Sequence, residues 1–291
     1  MFAFLAVELT ALFLLISFLV GVLQDKISPN KIKQILSAQH GKGYVIAAFL
    51  GAITPFCSCS TIPFLKGLLR AKAGFGTMMV FLFASPLLNP IIIGLFAVTF
   101  GLQVTLFYFV MAMGISLFAG FTLEKLGFEK YVKPDAYVEP KATCGGGSCG
   151  SQTVEVSKYR RIWNATWSDF KSVLPYLIGG IALGSLIYGF MPSEFVARVA
   201  NSDNPFAVPV AAIIGIPLYI RAEAVIPLSA ALAAKGMSLG AVMALIIGSA
   251  GASLTEVILL KSIFKNALIV AFVAVIVTMA ISAGYLYSFI F

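Results

Sequence analysis

The chain has 291 residues, 60% of them hydrophobic and only 11% charged, which is more apolar surface than a soluble core of this length can hide. A mean hydropathy of +0.99, with several uncharged runs beyond the ~18 residues of a spanning helix, indicates an all-α polytopic membrane protein. The net charge of +8 would suit nucleic acid. However, the Lys and Arg residues lie in loops beside hydrophobic segments, which is the pattern of topology determinants and makes the lipid bilayer the partner instead.

The predicted elements come in the same order twice. The first half begins with a spanning helix over 2–24, which has neither a basic flank nor a small-residue cleavage site and is read as retained. A short amphipathic stretch, SPNKIKQILSAQ, follows. Next come twelve apolar residues from Tyr44 to Pro55, the polar tip CSCST, a short helix over 62–72, and long helices over 76–100 and 102–123. A polar linker, Glu124 to Trp163, contains KATCGGGSCGSQ. The second half repeats the order: a helix over 167–191, PSEFVARVAN, Val208 to Tyr219, the tip IRAEA, and helices over 226–236, 238–262 and 266–290. The expected organisation is repeat 1 over 1–123, a cytoplasmic linker over 124–163 and repeat 2 over 164–291, with 8–10 membrane segments in all.

The two halves also match in register. Laid over Ala211 to Ser249 without a gap, Ala47 to Ser85 puts Gly51 on Gly215, Pro63 on Pro227, Gly76 on Gly240, Met79 on Met243 and Ser85 on Ser249. Breakers recurring at matched positions are the sequence mark of a repeat transporter.

Length decides the topology of the short pieces. Twelve helical residues rise about 18 Å against a hydrocarbon core of about 30 Å, so each short pair is expected to form a re-entrant hairpin. A non-helical tip is tolerated at membrane depth only inside protein or beside a wet cavity. With re-entrant hairpins whose tips point to the midplane from opposite sides, and with a cytoplasmic linker, all Lys and Arg except the outward Arg198 and Lys235 and the buried Arg221 face inward. Eight simple crossings would instead put Lys261, Lys265 and five other cations outside, against the positive-inside rule. Three crossings per half make the repeats inverted and both termini external.

The long helix of each half is interrupted midway, at SPLLNP (Ser85 to Pro90) and SAGASL (Ser249 to Leu254). The freed carbonyls there have Ser85, Asn89, Ser249 and Ser253 nearby, to satisfy them or a substrate. The same breaks would also serve as packing kinks with small-residue contacts. At the first tip, Cys57 and Cys59 offer two soft sulfur donors to a thiophilic metalloid or metal, flanked by Ser58 and Ser60 at a helix start that favours thiolate. The alternative role for such cysteines is that of small buried hydrophobes. At the second tip Arg221 matches Cys57 and Glu223 matches Cys59; with Glu256 these are candidates for charge or proton handling, or for a structural ion pair. Cys144 and Cys149 in the linker are auxiliary thiols, either a capture site or part of a plain flexible linker. The chain lacks a phosphate-binding loop and an H-E-x-x-H helix and has His40 as its one histidine, so no cofactor is expected and the chain is not read as an enzyme.

At TPFCSCSTIPFLKG and FASPLLNPIIIG, echoed by RAEAVIPL and GSAGASLTEV, the chain resembles the predicted-permease family that includes the ArsP-type organoarsenical efflux permeases. The resemblance covers both hydrophobic halves. It implies export of trivalent organoarsenicals such as methylarsenite across the bacterial inner membrane, with Cys57 and Cys59 at the family's cysteine motif. Two other readings remain open: a membrane thiol-disulfide oxidoreductase, which would want a C-x-x-C pair near the surface, and a permease for another sulfur compound or soft metal ion. The oligomeric state is also open, a homo-oligomer included.

Overall fold

The computed structural model describes residues 41–54, 58–70, 73–134, 206–217 and 237–290, with isolated positions within 14–22 and 163–178 and Ile226. Outside the described residues lie the expected helices over 2–24, 167–191 and 226–236 (isolated positions apart), both amphipathic stretches, the second tip and residues 135–162 of the linker. The described elements are α1 (Lys42–Ile53), α2 (Ser58–Arg70), α3 (Phe75–Leu87), α4 (Pro90–Phe100), α5 (Leu102–Lys125), α6 (Ala207–Gly215), α7 (Leu239–Gly251), α8 (Leu254–Leu260) and α9 (Asn266–Ile290). A 3-10 turn, Phe128–Tyr131, follows α5. No strand occurs among the described residues; the β contact there is an isolated bridge between Val132 and Phe264.

Three stretches are long and apolar enough to cross a bilayer, Leu102–Lys125, Leu239–Leu260 and Asn266–Ile290; α3 and α4, bent by 43° at Leu88–Asn89, make a fourth if counted as one span. The chain is a multi-pass, all-α membrane protein. Burial shows how these helices meet their surroundings. Every residue of α3 is buried, and so is most of α7, so these two helices form the centre. In α5, by contrast, Val104, Tyr108, Ala112, Ser116, Ala119 and Leu123 are buried at helical spacing while Leu102, Leu106, Val110, Phe118 and Phe121 are exposed. A helix apolar on both faces but buried on one presents the other to lipid.

The repeat read from the sequence recurs in the packing. Helices α1, α3 and α5 touch one another, and 164 positions later α6, α7 and α9 make the same three contacts. The glycines explain the close approach. A Cβ on Gly120 would lie 2.8 Å from the Gly76 carbonyl oxygen, and one on Gly284 would lie 2.7 Å from that of Gly240. Both pairs are 164 apart, so each α3/α5-type contact is a backbone-to-backbone crossing that only glycine permits.

Helices α5 and α9 run antiparallel. Near the start of α5, Phe107 meets Tyr287 near the end of α9, with ring centroids 5.9 Å apart. At the opposite end, the segment after α5 clamps the turn before α9: Lys265 N–H donates to the Tyr131 carbonyl at 2.9 Å, Lys133 N–H to that of Ile263 at 2.9 Å, and Lys133 Nζ to that of Lys261 at 2.6 Å. Lys261 and Lys265 therefore lie at the same end of the molecule as Lys125, Lys130 and Lys133.

One boundary differs from expectation. The short helix after the first tip begins at Ser58, not at residue 62, so Ser58, Cys59 and Ser60 belong to its first turn and Pro63 to its second. Pro63, the sixth helical residue, has no N–H and so leaves the Cys59 carbonyl without its i+4 donor.

Candidate functional site

The geometry centres on the two interrupted helices. In the first, Asn89 caps α4: its Oδ1 accepts from Ile91 N–H at 3.0 Å, and Pro90 occupies the first helical position. In the second, 164 positions later, Ser253 caps α8 by accepting from Glu256 N–H at 3.3 Å. The breaks are thus stable structures with matched caps. Ser249 Oγ donates to the Ile246 carbonyl at 3.1 Å, so Asn89, Ser249 and Ser253 all serve the backbone. Ser85 differs. Its hydroxyl is fully buried and meets no hydrogen-bond partner among the described residues, and the N–H that would serve the Leu82 carbonyl is missing because residue 86 is proline.

Helices α1 and α6 each end on the break of their own half. A Cβ on Gly51, in the last turn of α1, would lie 3.1 Å from Ser85 N, and one on Gly215, the last residue of α6, 3.0 Å from Ser249 N. In the second half the contact extends to a hydrogen bond, Leu254 N–H to the Ile216 carbonyl at 3.1 Å. The breaks also meet each other. Leu87 Cδ2 lies 3.3 Å from the position of a Cβ on Gly251, and Phe83 stacks on Phe272 with centroids 5.1 Å apart. Further across the repeats, α2, whose first turn carries Cys59, packs on α8, which carries Glu256.

Glu256 is 1% exposed, and Ile92, 164 positions earlier, is 4% exposed, so an acid occupies a site that its counterpart fills with a hydrocarbon. Ser253-x-x-Glu256 is also the pattern of a capping box, whose serine half is formed. That structural role was not read from the sequence. Tyr108 was missed as well: fully buried on α5, it stacks on Phe96 at 4.5 Å and donates its hydroxyl at 2.7 Å to the Leu87 carbonyl, which the break has freed. Its counterpart is Phe272, and a tyrosine opposite a phenylalanine is the signal that could have flagged it. A second missed pair is Tyr44, which donates its hydroxyl to the Glu124 carboxylate beside Gly76.

Of the other residues singled out, Cys57, Arg221, Glu223, Cys144 and Cys149 lie outside the described residues, and Ser58, Cys59 and Ser60 are described only as backbone of α2. The structure brings Ser85, Asn89, Ser249, Ser253 and Glu256 to the paired breaks.

Comparison with known proteins agrees with a membrane transporter. The ArsP_1 family, described as predicted permease, matches residues 1–289. The UPF0718 protein MJ0584 of Methanocaldococcus jannaschii is 22% identical, over 94% of this chain and 90% of its own length. The UPF0718 protein YcgR of Bacillus subtilis is 21% identical, over 91% of this chain and 88% of its own. No solved structure matches the chain. With nearly its whole length matched, the chain belongs to the ArsP_1 family of predicted permeases.

Proposed function

We propose that the chain is an inner-membrane permease that exports a small thiophilic solute, a trivalent organoarsenical of the methylarsenite type, through a site between two inverted repeats. The observation that carries this reading is the pair of capped breaks at equivalent positions, each facing the leg of its own hairpin and touching the other through Leu87 and Gly251. Interrupted helices meeting at a repeat interface are how secondary transporters build a midplane site.

Inversion is supported by the antiparallel course of α5 and α9, which are counterparts in the two repeats. It is also supported by the clamp that holds Lys261 and Lys265 at the end where α5 exits; eight simple crossings would put them opposite it. The lysines then mark the cytoplasmic face, with the linker inside and both termini outside. Cys57 and Cys59 supply the soft donors, Ser85 a hydroxyl that the backbone does not use, and Arg221, Glu223 and Glu256 the charges that couple transport to protons. Cys144 and Cys149 are auxiliary thiols of the linker.

The test is uptake into everted membrane vesicles of methylarsenite, arsenite, thiosulfate and zinc, compared side by side. Accumulation of methylarsenite above the others supports the reading. Accumulation of thiosulfate or zinc alone reassigns the substrate, and no accumulation of any of the four removes the transport claim for thiophilic solutes.

A further inference from the structure

The clamp between residues 128–133 and 261–265 brings together charges that the transport site does not use. Lys125, Lys130, Lys261 and Lys265 are exposed there and Lys133 is partly so, opposed among the described residues by Glu129 and by Glu124, the latter already engaged by Tyr44. The backbone bonds of the clamp fix these lysines relative to one another.

The same place is the N-terminus of α9, a 25-residue helix whose dipole presents positive charge toward the clamp. Beside the lysines, Phe128 and Tyr131 are half-buried and in ring contact at 5.5 Å, with Lys130 Nζ 5.2 Å from the Tyr131 centroid. In the same turn the Ser262 hydroxyl is buried and has no hydrogen-bond partner among the described residues. The other ends of α5 and α9, residues 101–106 and 283–290, contain no charged side chain.

We infer that this clamp is a docking site for the phosphodiester headgroup of an anionic phospholipid. The clamp sits where two apolar spans end, at the level of headgroups, and it combines an aromatic anchor for the interface with cations and a helix N-terminus for the phosphate. Positive-inside topology alone requires lysines somewhere on this face; it does not require backbone bonds that tie the segment after α5 to the turn before α9. Because the clamp ties the segment after α5 to the turn before α9, a bound headgroup would hold the end of α5 against the start of α9. The inference does not depend on the substrate proposed above.

The test uses the full-length protein in nanodiscs of phosphatidylcholine alone and of phosphatidylcholine with phosphatidylglycerol, read by thermal unfolding and by native mass spectrometry of retained lipid. We expect phosphatidylglycerol to raise the unfolding midpoint of the wild type and to be retained as discrete adducts, with both effects weakening as salt rises. The Lys130→Gln/Lys261→Gln/Lys265→Gln variant should lose most of the shift, whereas Lys158→Gln/Arg160→Gln/Arg161→Gln, which removes as much charge from the linker, should keep it. Lys265→Gln alone is read in the same way if the triple variant does not fold. Equal midpoints in the two bilayers, or equal loss in the clamp and linker variants, would overturn the inference. So would the same shift produced in detergent by glycerol 3-phosphate, which would reassign the patch to a soluble phosphate ester.

Discussion

Leu87 and Gly251 occupy the same position in the two repeats, and they touch. Matched positions 164 residues apart thus come together where the two interrupted helices meet. A side chain at 251 would be caught between Leu87 and Ile276, whose nearest atoms lie 3.3 and 3.1 Å from the added Cβ. Gly251→Val should therefore cost about 1–3 kcal/mol of stability by overpacking, measured by thermal unfolding in detergent. An unchanged midpoint would mean that the breaks are looser than described.

The glycines divide by what surrounds them. Gly215→Ala would drive a methyl to 2.8 Å from the Leu245 carbonyl oxygen, whereas Gly114 on α5 has nothing within 4 Å of an added Cβ. Gly215→Ala should lower stability by roughly 1–3 kcal/mol, while Gly114→Ala should raise it by up to ~1 kcal/mol through helix propensity. The two midpoints should move in opposite directions; movement the same way would contradict the packing of α6 on α7.

Tyr108→Phe removes the donor that serves the Leu87 carbonyl and leaves that group buried. A loss of about 1–3 kcal/mol is expected. Phe272→Tyr, at the matched position, forces a hydroxyl into a fully buried ring site stacked on Phe83, so it should destabilise rather than compensate. Denaturant titration of the two variants checks both signs.

Much of this was legible before any coordinates. Ser85 to Pro90 and Ser249 to Leu254 were readable as breaks because proline and small polar residues punctuate otherwise uniform hydrophobic sequence, and the breaks lie at Leu88–Asn89 and Ala252–Ser253. The glycine register was readable because close helix crossings admit nothing larger. What stayed hidden is non-local. The bonds from Tyr108 to Leu87, from Tyr44 to Glu124 and between Lys133 and Lys261 join residues 21, 80 and 128 positions apart, and no periodicity records such partners. The start of α2 at Ser58 was missed because serine and cysteine in CSCST suit a loop and a first helical turn equally.

Glu256 provides a test of coupling. It is buried at the paired breaks, where the proposed reading has an acid carry the coupling proton. Glu256→Gln and Glu223→Gln are to be compared in proteoliposomes for folded yield and for accumulation under an imposed pH gradient. The coupling acid, once replaced, should leave substrate equilibration intact and abolish accumulation. If both variants fold and still concentrate substrate, protons do not pass through these acids.

The central claim, that a thiol pair at membrane depth carries the substrate, is tested most directly by methylarsenite uptake into everted vesicles containing matched amounts of wild type, Cys57→Ser, Cys59→Ser and the linker double variant Cys144→Ser/Cys149→Ser. Serine keeps the size of cysteine but is a hard donor, so each single variant is predicted to lose most of the uptake while remaining folded, and the linker variant to keep most of it. Uptake at the wild-type rate in both single variants would contradict the account and reduce Cys57 and Cys59 to packing residues.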